Sequence, residues 1–250
     1  MPVMIGPTDN PDEPSRPGSF PRRSVHGRRR GRRLRPGLQR LLNDLLPQLR
    51  IDLPAPGARL DLAKLFGQMP RDLWLEIGFG GGEHLAWQAE RHPDVGFLGA
   101  EHFVNGLAGL LRFVRDRDLA NVRLLQGDGR DLLDALPSAC LGRVFILFPD
   151  PWRKLRHHKR RIVRHATLDR LADLMKDGTE LRIATDHPEY LRWILECAGA
   201  HPAFRWLARG PADWRQRPED WPPTRYELKA LGQGRKPVYL RFERRPRGTG

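Results

Sequence analysis

Asp150 lies in a short stretch whose residue types suggest chemistry on a nucleic-acid base. Two prolines, Pro149 and Pro151, flank this carboxylate, and Trp152 follows directly. Because proline fixes its own φ and drives the preceding residue into extended geometry, we expect a stiff, non-helical loop. Seven lysines and arginines and no acid occupy residues 153–164. A fixed carboxylate and an aromatic plane beside dense positive charge suit a reaction on a base held by its phosphates; the plainer interpretation is a turn before a solvated helix face.

A glycine-rich turn follows the first predicted strand. Gly78, Gly80 and Gly82 allow positive φ and let the backbone approach a ligand closely. Glu83 stands where the dinucleotide-binding fingerprint has its third glycine. With Glu76 two residues before the first glycine, the pattern instead resembles motif I of the Rossmann-like S-adenosylmethionine-dependent methyltransferases. Their ligand carries an ammonium and a sulfonium, which suit a carboxylate; a tight structural turn would also explain the glycines.

Two further acids follow the next two predicted strands. Glu101 comes 19 residues after Gly82, where a carboxylate can accept hydrogen bonds from both hydroxyls of a ribose. Asp128 lies between two glycines after the third strand, and we expect it near an adenine. Each acid alone could be a helix cap or a solvated loop residue. Because ligands of open α/β sheets bind along the carboxyl ends of the strands, acids at three successive ends predict one site.

Apolar strands alternate with amphipathic helices after residue 72, and these elements would position the acids. This order predicts an α/β fold with a parallel sheet and helices on both faces. Two last strands without a predicted helix between them indicate a C-terminal antiparallel hairpin. Leucines with helical spacing at 38–49 predict one more helix, ended or kinked by Pro47. Predicted strands cover 73–77, 95–100, 121–125, 143–148, 180–185, 203–207 and 237–243, and predicted helices lie near 83–92, 103–117, 130–136, 164–176 and 187–198.

Two regions make up the 250 residues. Residues 1–35 are rich in proline, glycine and arginine and poor in large apolar side chains, so we expect a disordered basic N-terminal arm. Residues 36–250 are enough for one substantial core and too few for two full-sized domains. We therefore predict a single domain after the arm.

Positive charge is concentrated in three blocks. The formal net charge is +14, and residues 1–40, 153–165 and 235–247 carry net charges of +7, +7 and +5, so the remainder is mildly acidic. Such blocks indicate a surface that meets a polyanion. The sequence has no apolar run of about 18 residues and no apolar secretory core near its start. We therefore expect no membrane association and a cytoplasmic location.

Seven motifs together resemble one family. They are Glu76-Ile-Gly-Phe-Gly-Gly-Gly82, Gly99-Ala-Glu101, Gly127-Asp128, Phe148-Pro-Asp-Pro-Trp-Arg-Lys154, Ala184-Thr-Asp186, Thr224-Arg-Tyr-Glu227 and Leu240-Arg-Phe-Glu-Arg244. Over roughly residues 35–245 the chain is similar to the bacterial tRNA (guanine-N7-)-methyltransferases, which methylate N7 of a guanosine in the tRNA variable loop. The resemblance implies a Rossmann-like methyltransferase fold with a mostly parallel seven-stranded sheet, S-adenosyl-L-methionine as methyl donor and tRNA as partner. The protein would be a monomer or a homodimer.

The resemblance also implies roles for individual residues. Asp150 would be the catalytic residue. The chain has Arg225 where the family usually has lysine, and Ala230 near a frequent histidine, so contacts made there are expected to differ. The methyl donor would contact Glu76, Gly78, Gly80, Gly82, Glu101, Asp128 and Asp150; the substrate would be bound by Lys154, Asp186, Thr224, Arg225, Tyr226 and Glu227; and RNA would contact Arg156, His157, His158, Lys159, Arg160 and Arg161.

Chemistry at guanine N7 needs positioning more than proton transfer. N7 has a free lone pair and no proton, and alignment with a sulfonium methyl can supply about 7–11 kcal/mol of the barrier. Asp150 could stabilise the positive charge that moves onto the purine. Asp150 or Asp186 could also accept from guanine N1–H and N2–H, and Trp152 could stack on a base or pack internally. His157 and His158 could donate to phosphates; they lack partners at metal-ligand spacing, so we expect no metal.

Three other functions fit part of the sequence. Exocyclic-amine methyltransferases of DNA or RNA have an Asp/Asn-Pro-Pro-aromatic motif, whereas here one proline precedes Asp150. An NAD-dependent dehydrogenase is disfavoured by Glu76 and Glu83. A non-catalytic RNA-binding protein that retains a Rossmann-like fold would not need acids at four strand ends.

Overall fold

A mixed sheet forms the centre of the fold. The computed structural model describes residue 27 and residues 29–248. Within that part of the chain there are seven strands, in the order β3-β2-β1-β4-β5-β7-β6. β1 to β5 are parallel, and β7 pairs antiparallel with β5 and β6, which confirms the mostly parallel α/β sheet. The strands are β1 Asp72–Ile77, β2 Val95–Glu101, β3 Val122–Gln126, β4 Leu141–Leu147, β5 Met175–Thr185, β6 Phe204–Trp206 and β7 Val238–Arg244.

Helices pack on both faces of this sheet. Leu73 and Leu75 of β1 pack in an apolar cluster with α6, α7 and α8, and Trp74 packs on the other side with α1, α4 and α5, as the two-residue period of a strand requires. Among the described residues, no helix is both long and apolar enough to cross a membrane. The helices are α1 Pro36–Asp44, α2 Leu46–Leu49, α3 Leu62–Phe66, α4 Glu83–Arg91, α5 Val104–Asp116, α6 Gly129–Ala135, α7 His165–Leu174, α8 Pro188–Gly199, α9 Ala212–Arg215 and α10 Arg225–Gly232, with a 3₁₀ helix at Leu155–Arg160.

The segment between β6 and β7 differs from the prediction. Two short helices, α9 and α10, occupy a stretch where no helix was predicted. α10 begins with a capping box, in which the Thr224 side chain accepts from Glu227 N and the Glu227 carboxylate accepts from Thr224 N. The prolines at 222 and 223 interrupt the apolar period just before this start, and they concealed the helix.

Two boundaries also differ. β5 begins at Met175, five residues before the predicted start, and Gly178 with φ +76° interrupts the alternation that would have revealed its first part. The leucine-patterned helix at 38–49 is divided into α1 and α2, with Pro47 inside the second piece. The break falls at Leu45, and Pro47, which has no N–H to continue the hydrogen bonds of α1, lies in the first turn of α2.

The described end of the basic arm is attached to α5. Val104 N donates to Arg29 O at 3.0 Å, and Gly31 N donates to Asn105 Oδ1 at 2.6 Å. Asn105 Nδ2 donates in return to Arg32 O at 2.8 Å. The disorder predicted for residues 1–35 therefore does not extend to residues 29–35; residues 1–26 and 28 lie outside the described residues. α1 begins at Pro36, the predicted start of the domain.

Asn105→Ala is expected to release this part of the arm. The change removes both side-chain hydrogen bonds, each worth about 0.5–1.5 kcal/mol, so amide exchange at Gly31 should become about tenfold faster. Hydrogen–deuterium exchange measures this directly. The control is Asn43→Ala on the exposed face of α1, where the side chain bonds only to Gln39 among the described residues. Unchanged exchange at residues 29–33 would contradict the attachment.

Candidate active site

The glycine turn joins β1 to α4 in a conformation that side chains would disturb. Gly80 and Gly82 have φ of +55° and +81°. A Cβ on Gly82 would lie 2.5 Å from the Cβ of Leu110 in α5, so α5 packs directly against the turn. Gly78 N donates to Ala100 O at 2.8 Å and fixes the start of the turn to β2. The turn therefore presents its backbone at the carboxyl edge of the sheet.

Glu101 at the end of β2 connects three backbone segments of the site. Its Oε2 accepts from Gly80 N at 2.8 Å, and its Oε1 accepts from the amides of His102 and Phe103 at 2.7 and 2.8 Å. Burial raises the pKa of this carboxyl, the three amides counteract the rise, and the charge of Asp150 adds to it. Both carboxylates line the same cleft, and the charge of Asp150 acts on Glu101 there.

A cleft of about 170 Å³ opens at the carboxyl ends of β1 to β4. It brings together five predicted site residues from separate parts of the chain. Oxygen atoms of three carboxylates and the glycine backbone make it suitable for a cationic ligand with hydroxyl groups. Its walls include Gly78, Glu101, Asp128, Asp150, Trp152 and Arg160.

The loop that carries Asp150 has an unusual backbone on both sides. Phe148 and Trp152 have φ of +51° and +43°, a region that residues other than glycine rarely adopt. Phe148 N donates to Ala184 O at 2.8 Å, which holds the start of the loop on β5. Limited contact with water raises the pKa of the Asp150 carboxyl. A positive φ at a residue other than glycine costs about 1–3 kcal/mol, and such backbone strain is typical of functional sites.

Arg161 lies beneath this loop. Its side chain is 1% exposed, Nε donates to Pro151 O at 2.8 Å, and Nη2 pairs with Glu189 Oε1 at 2.5 Å. The guanidinium also lies 5.1 and 4.9 Å from the ring centroids of Tyr190 and Trp193. A direct RNA contact, as predicted from sequence, does not fit this burial. Arg161 instead ties the proline-flanked loop to α8.

Exposed cations follow the Asp150 loop in the chain. We define the basic rim as Arg153, Lys154, Arg156 and Lys159, whose side chains are exposed. Lys154 immediately precedes the 3₁₀ helix, and Arg156 and Lys159 lie within it. This helix follows the Asp150 loop directly in the chain, so the exposed cations of the rim begin within a few residues of the predicted catalytic carboxylate.

The other three predicted RNA contacts are partly buried, two of them against Trp152. The Arg160 guanidinium lies 5.1 Å from the Trp152 ring centroid and lines the cleft, and the His157 ring approaches the same indole edge-on at 5.9 Å. His158 Nε2 lies 3.3 Å from Glu189 Oε1. Packing against neighbours thus orients these side chains, whereas the basic rim is open to a partner.

The predicted substrate segment divides into buried and exposed residues. Thr224 and Glu227 are buried in the capping box, and Glu227 Oε1 also accepts from Tyr239 Oη at 2.6 Å. Tyr226 is exposed and its ring covers the glycine turn, since a Cβ on Gly80 would lie 2.6 Å from Tyr226 Cε2. Desolvation of the part of the ring that lies against the glycine turn, together with the charges of Glu101 and Asp150, raises the pKa of Tyr226. The segment therefore meets the glycine turn through Tyr226.

Partners of three predicted acids were not foreseen from sequence. Asp128 caps α6 and pairs with Arg130 two residues later, a spacing that could have indicated the pair. Asp186 Oδ2 lies 2.5 Å from Arg235 Nη1, and no local pattern links residues so far apart. Glu76 is buried behind the glycine turn, 2.7 Å from the imidazole Nδ1 of a histidine in the next helix, α4.

Comparison with known proteins supplies the family. The family described as "Putative methyltransferase" matches residues 70–240. A tRNA (guanine-N(7)-)-methyltransferase from Rhodospirillum rubrum is 51% identical over 241 residues, which cover 96% of this chain and 92% of the relative. One from Ruegeria sp. is 48% identical and covers 95% of this chain and 94% of the relative.

Solved structures confirm the predicted fold. The structure of an antibiotic-related methyltransferase is 18% identical and superposes with a TM-score of 0.51, over 72% of this chain and 90% of that one. The topology is thus that of a Rossmann-like methyltransferase. Since the relatives at about half identity span nearly the full length, the chain belongs to the tRNA (guanine-N(7)-)-methyltransferase family.

Proposed function

We propose that the protein transfers a methyl group from S-adenosyl-L-methionine to N7 of a guanosine in the variable loop of tRNA. The observation that carries this proposal is the position of Asp150, which lies in one cleft with Glu101 and Asp128 and is followed in the chain by the exposed cations of the basic rim. The names of the relatives support the same reaction.

The donor set of the cleft fits this methyl donor. S-adenosyl-L-methionine supplies an electrophilic methyl on a sulfonium. Glu101 Oε2 accepts from one amide among the described residues and can accept further bonds from ribose hydroxyls, and Asp128 lies where the adenine would be expected. Gly78, Gly80 and Gly82 let the backbone come close, and Glu76 behind the turn would attract the ammonium.

Asp150 would act through its fixed negative charge. Guanine N7 needs no general base, so the residue that matters is one that favours the cation developing on the purine. The loop that carries this carboxylate is stiffened by two prolines and by the bond from Arg161 to Pro151 O, so the charge would need little reorganisation during the reaction. The same carboxylate can accept from the Watson–Crick edge of guanine, which would favour guanine over adenine.

tRNA would be bound by the basic rim and the exposed part of the substrate segment. Lys154, Arg156 and Lys159 would contact phosphates, with His157, His158 and Arg160 closer to the cleft. Arg225 and Tyr226 are exposed and would face the substrate, and Asp186 would be a further substrate contact, whereas Thr224 and Glu227 would support them from inside.

Product analysis tests the proposed reaction. Purified protein is incubated with unmodified tRNA and methyl-labelled S-adenosyl-L-methionine, and borohydride and aniline then cleave the RNA at N7-methylguanosine. We expect cleavage in the variable loop. Label on an adenine or cytosine amine would replace the proposal by an exocyclic-amine methyltransferase, and tRNA binding with neither donor binding nor transfer would favour an RNA-binding role.

Binding of tRNA should depend strongly on salt. Removing one cation that neutralises a phosphate reduces the slope of log K against log salt by about 1, so Arg156→Gln should weaken binding and lower that slope by about 1. Titrations at several salt concentrations measure this. Asp116→Asn on the far end of α5 is the control. A slope that is near zero in the unmodified protein would exclude the basic rim as a phosphate-binding surface.

A further inference from the structure

A buried histidine lies directly behind the glycine turn. His84, in the first turn of α4, is 1% exposed, and its Nδ1 lies 2.7 Å from Glu76 Oε2. Its Nε2 lies 3.2 Å from Gln88 Nε2, one helical turn later. Gln88 Nε2 also donates to the backbone carbonyl of Asp220 at 2.8 Å. These contacts form a continuous chain from the end of β1 to the segment before α10.

The hydrogens of this chain have only one consistent arrangement. The Asp220 carbonyl can only accept, so the amide nitrogen of Gln88, and not its oxygen, must face it. The second hydrogen of that amide then points to His84 Nε2, which must accept. The imidazole proton therefore sits on Nδ1 and is donated to Glu76. Gln88 Oε1, the remaining polar atom, is buried without a hydrogen-bond partner among the described residues, so the side chain is held by its donor groups.

The far end of the chain is itself fixed to the predicted substrate segment. Asp220 Oδ2 pairs with buried Arg182 at 2.8 Å. The next residue, Trp221, is fully buried, with its ring 6.0 Å from His84 and 5.5 Å from Tyr239. Tyr239 in turn donates to Glu227 of the capping box. A displacement of the backbone at Asp220 would therefore be transmitted to α10, whose Tyr226 ring lies against Gly80.

We infer that His84 is a positioning residue that orients the Glu76 carboxylate toward the methyl donor and, through Gln88, connects this carboxylate to the segment that meets the substrate. The inference rests on the proposed function, because it assigns the donor to the Glu76 side of the glycine turn. The Nδ1–H bond occupies Oε2, and no hydrogen bond to Oε1 is found among the described residues, so Oε1 can accept from the donor ammonium. The Gln88 bond holds the peptide at Asp220 at a fixed distance from that carboxylate.

Two replacements of His84 separate its two contacts. The amide of asparagine can occupy the place of Nδ1, and the amide of glutamine the place of Nε2. His84→Gln loses the donor to Glu76, so its dissociation constant for S-adenosylhomocysteine should rise by about 10- to 100-fold. His84→Asn should restore most of that affinity.

Gln88→Met keeps the volume of the side chain and removes the hydrogen bond to the Asp220 carbonyl. KM for tRNA should therefore rise by about 3- to 10-fold, with little change in S-adenosylhomocysteine binding.

His201→Gln provides the matched control. His201 is also buried, and its Nε2 lies 3.1 Å from Asp169 Oδ1, on α7 and away from the cleft. The His201→Gln variant should show a decrease in Tm similar to that of His84→Gln, and its affinity for S-adenosylhomocysteine should be unchanged. Calorimetric titration gives the affinities, and initial rates give KM for tRNA.

The outcomes distinguish the inference from the proposed function. If the unmodified protein does not bind S-adenosylhomocysteine, the proposed function fails. If it binds and His84→Gln binds equally well, the positioning role of His84 is overturned while the proposed function stands. Should His84→Gln not fold, Gln88→Met decides: an unchanged KM for tRNA overturns the link to the substrate segment, and a raised KM supports it.

Discussion

Replacement of Asp150 by asparagine should lower kcat by about 100- to 1,000-fold, the loss found when one fixed group that stabilises transition-state charge is removed. Asparagine fits the same space between the two prolines, so the loop should keep its conformation. Because the charge acts mainly on the developing purine cation, dissociation constants for tRNA and S-adenosylhomocysteine should change far less than kcat. Single-turnover rates with saturating tRNA measure the chemical step. Asp116→Asn, an exposed acid on α5, is the control.

The pH profile gives an independent test of the same residue. Limited contact with water raises the pKa of Asp150, and burial together with the Asp150 charge raises that of Glu101. Each carboxyl therefore takes up its proton at a higher pH than a freely exposed one. On acidification kcat should fall earlier than expected for an exposed aspartate, and Asp150→Asn should remove this part of the profile. Near-normal turnover of Asp150→Asn at neutral pH would show that Asp150 is not a catalytic residue.

The position of the acids could be predicted because it follows from topology alone. Parallel strands present their carboxyl ends at one edge of the sheet, so residues that follow separate strands converge wherever the strand assignment is right. Glu101, Asp128 and Asp150 do lie in one cleft, although each was assigned from its own short sequence motif, whereas the acid of β1 is buried behind the glycine turn and does not line the cleft. The local backbone of the glycine turn was predictable for a similar reason, since positive φ at Gly80 and Gly82 is a property of glycine itself.

The roles of individual side chains were less predictable because they depend on partners distant in sequence. Arg161 was grouped with its cationic neighbours, and only the aromatic rings and Glu189 of α8 determine that it is buried. Thr224 and Glu227 matched a substrate motif, and they also satisfy the start of a helix that the preceding prolines concealed. A run of charged residues therefore predicts an exposed surface, and tertiary contacts determine which of these side chains are exposed on it.

Arg161 accordingly offers the sharpest test of this distinction. Arg161→Lys keeps the positive charge near Glu189 and loses the planar fork that also donates to Pro151 O. The Asp150 loop should then be less well held. Because a displacement of about 1 Å can cost about 100-fold in rate, we expect kcat to fall by about 10- to 100-fold. Loss of a hydrogen bond from a charged group should also lower the free energy of unfolding by about 1.5–3 kcal/mol.

The dependence of tRNA binding on salt separates this structural role from an RNA contact. A buried guanidinium releases no counterions when tRNA binds, so Arg161→Gln should leave the slope of log K against log salt unchanged, whereas Arg156→Gln on the basic rim should reduce it by about 1. Stopped-flow rates, thermal unfolding and salt titrations of the same three variants supply the data. If Arg161→Gln lowered the salt slope as much as Arg156→Gln and left kcat intact, Arg161 would be an RNA contact, and its burial beneath the loop would not describe the complex.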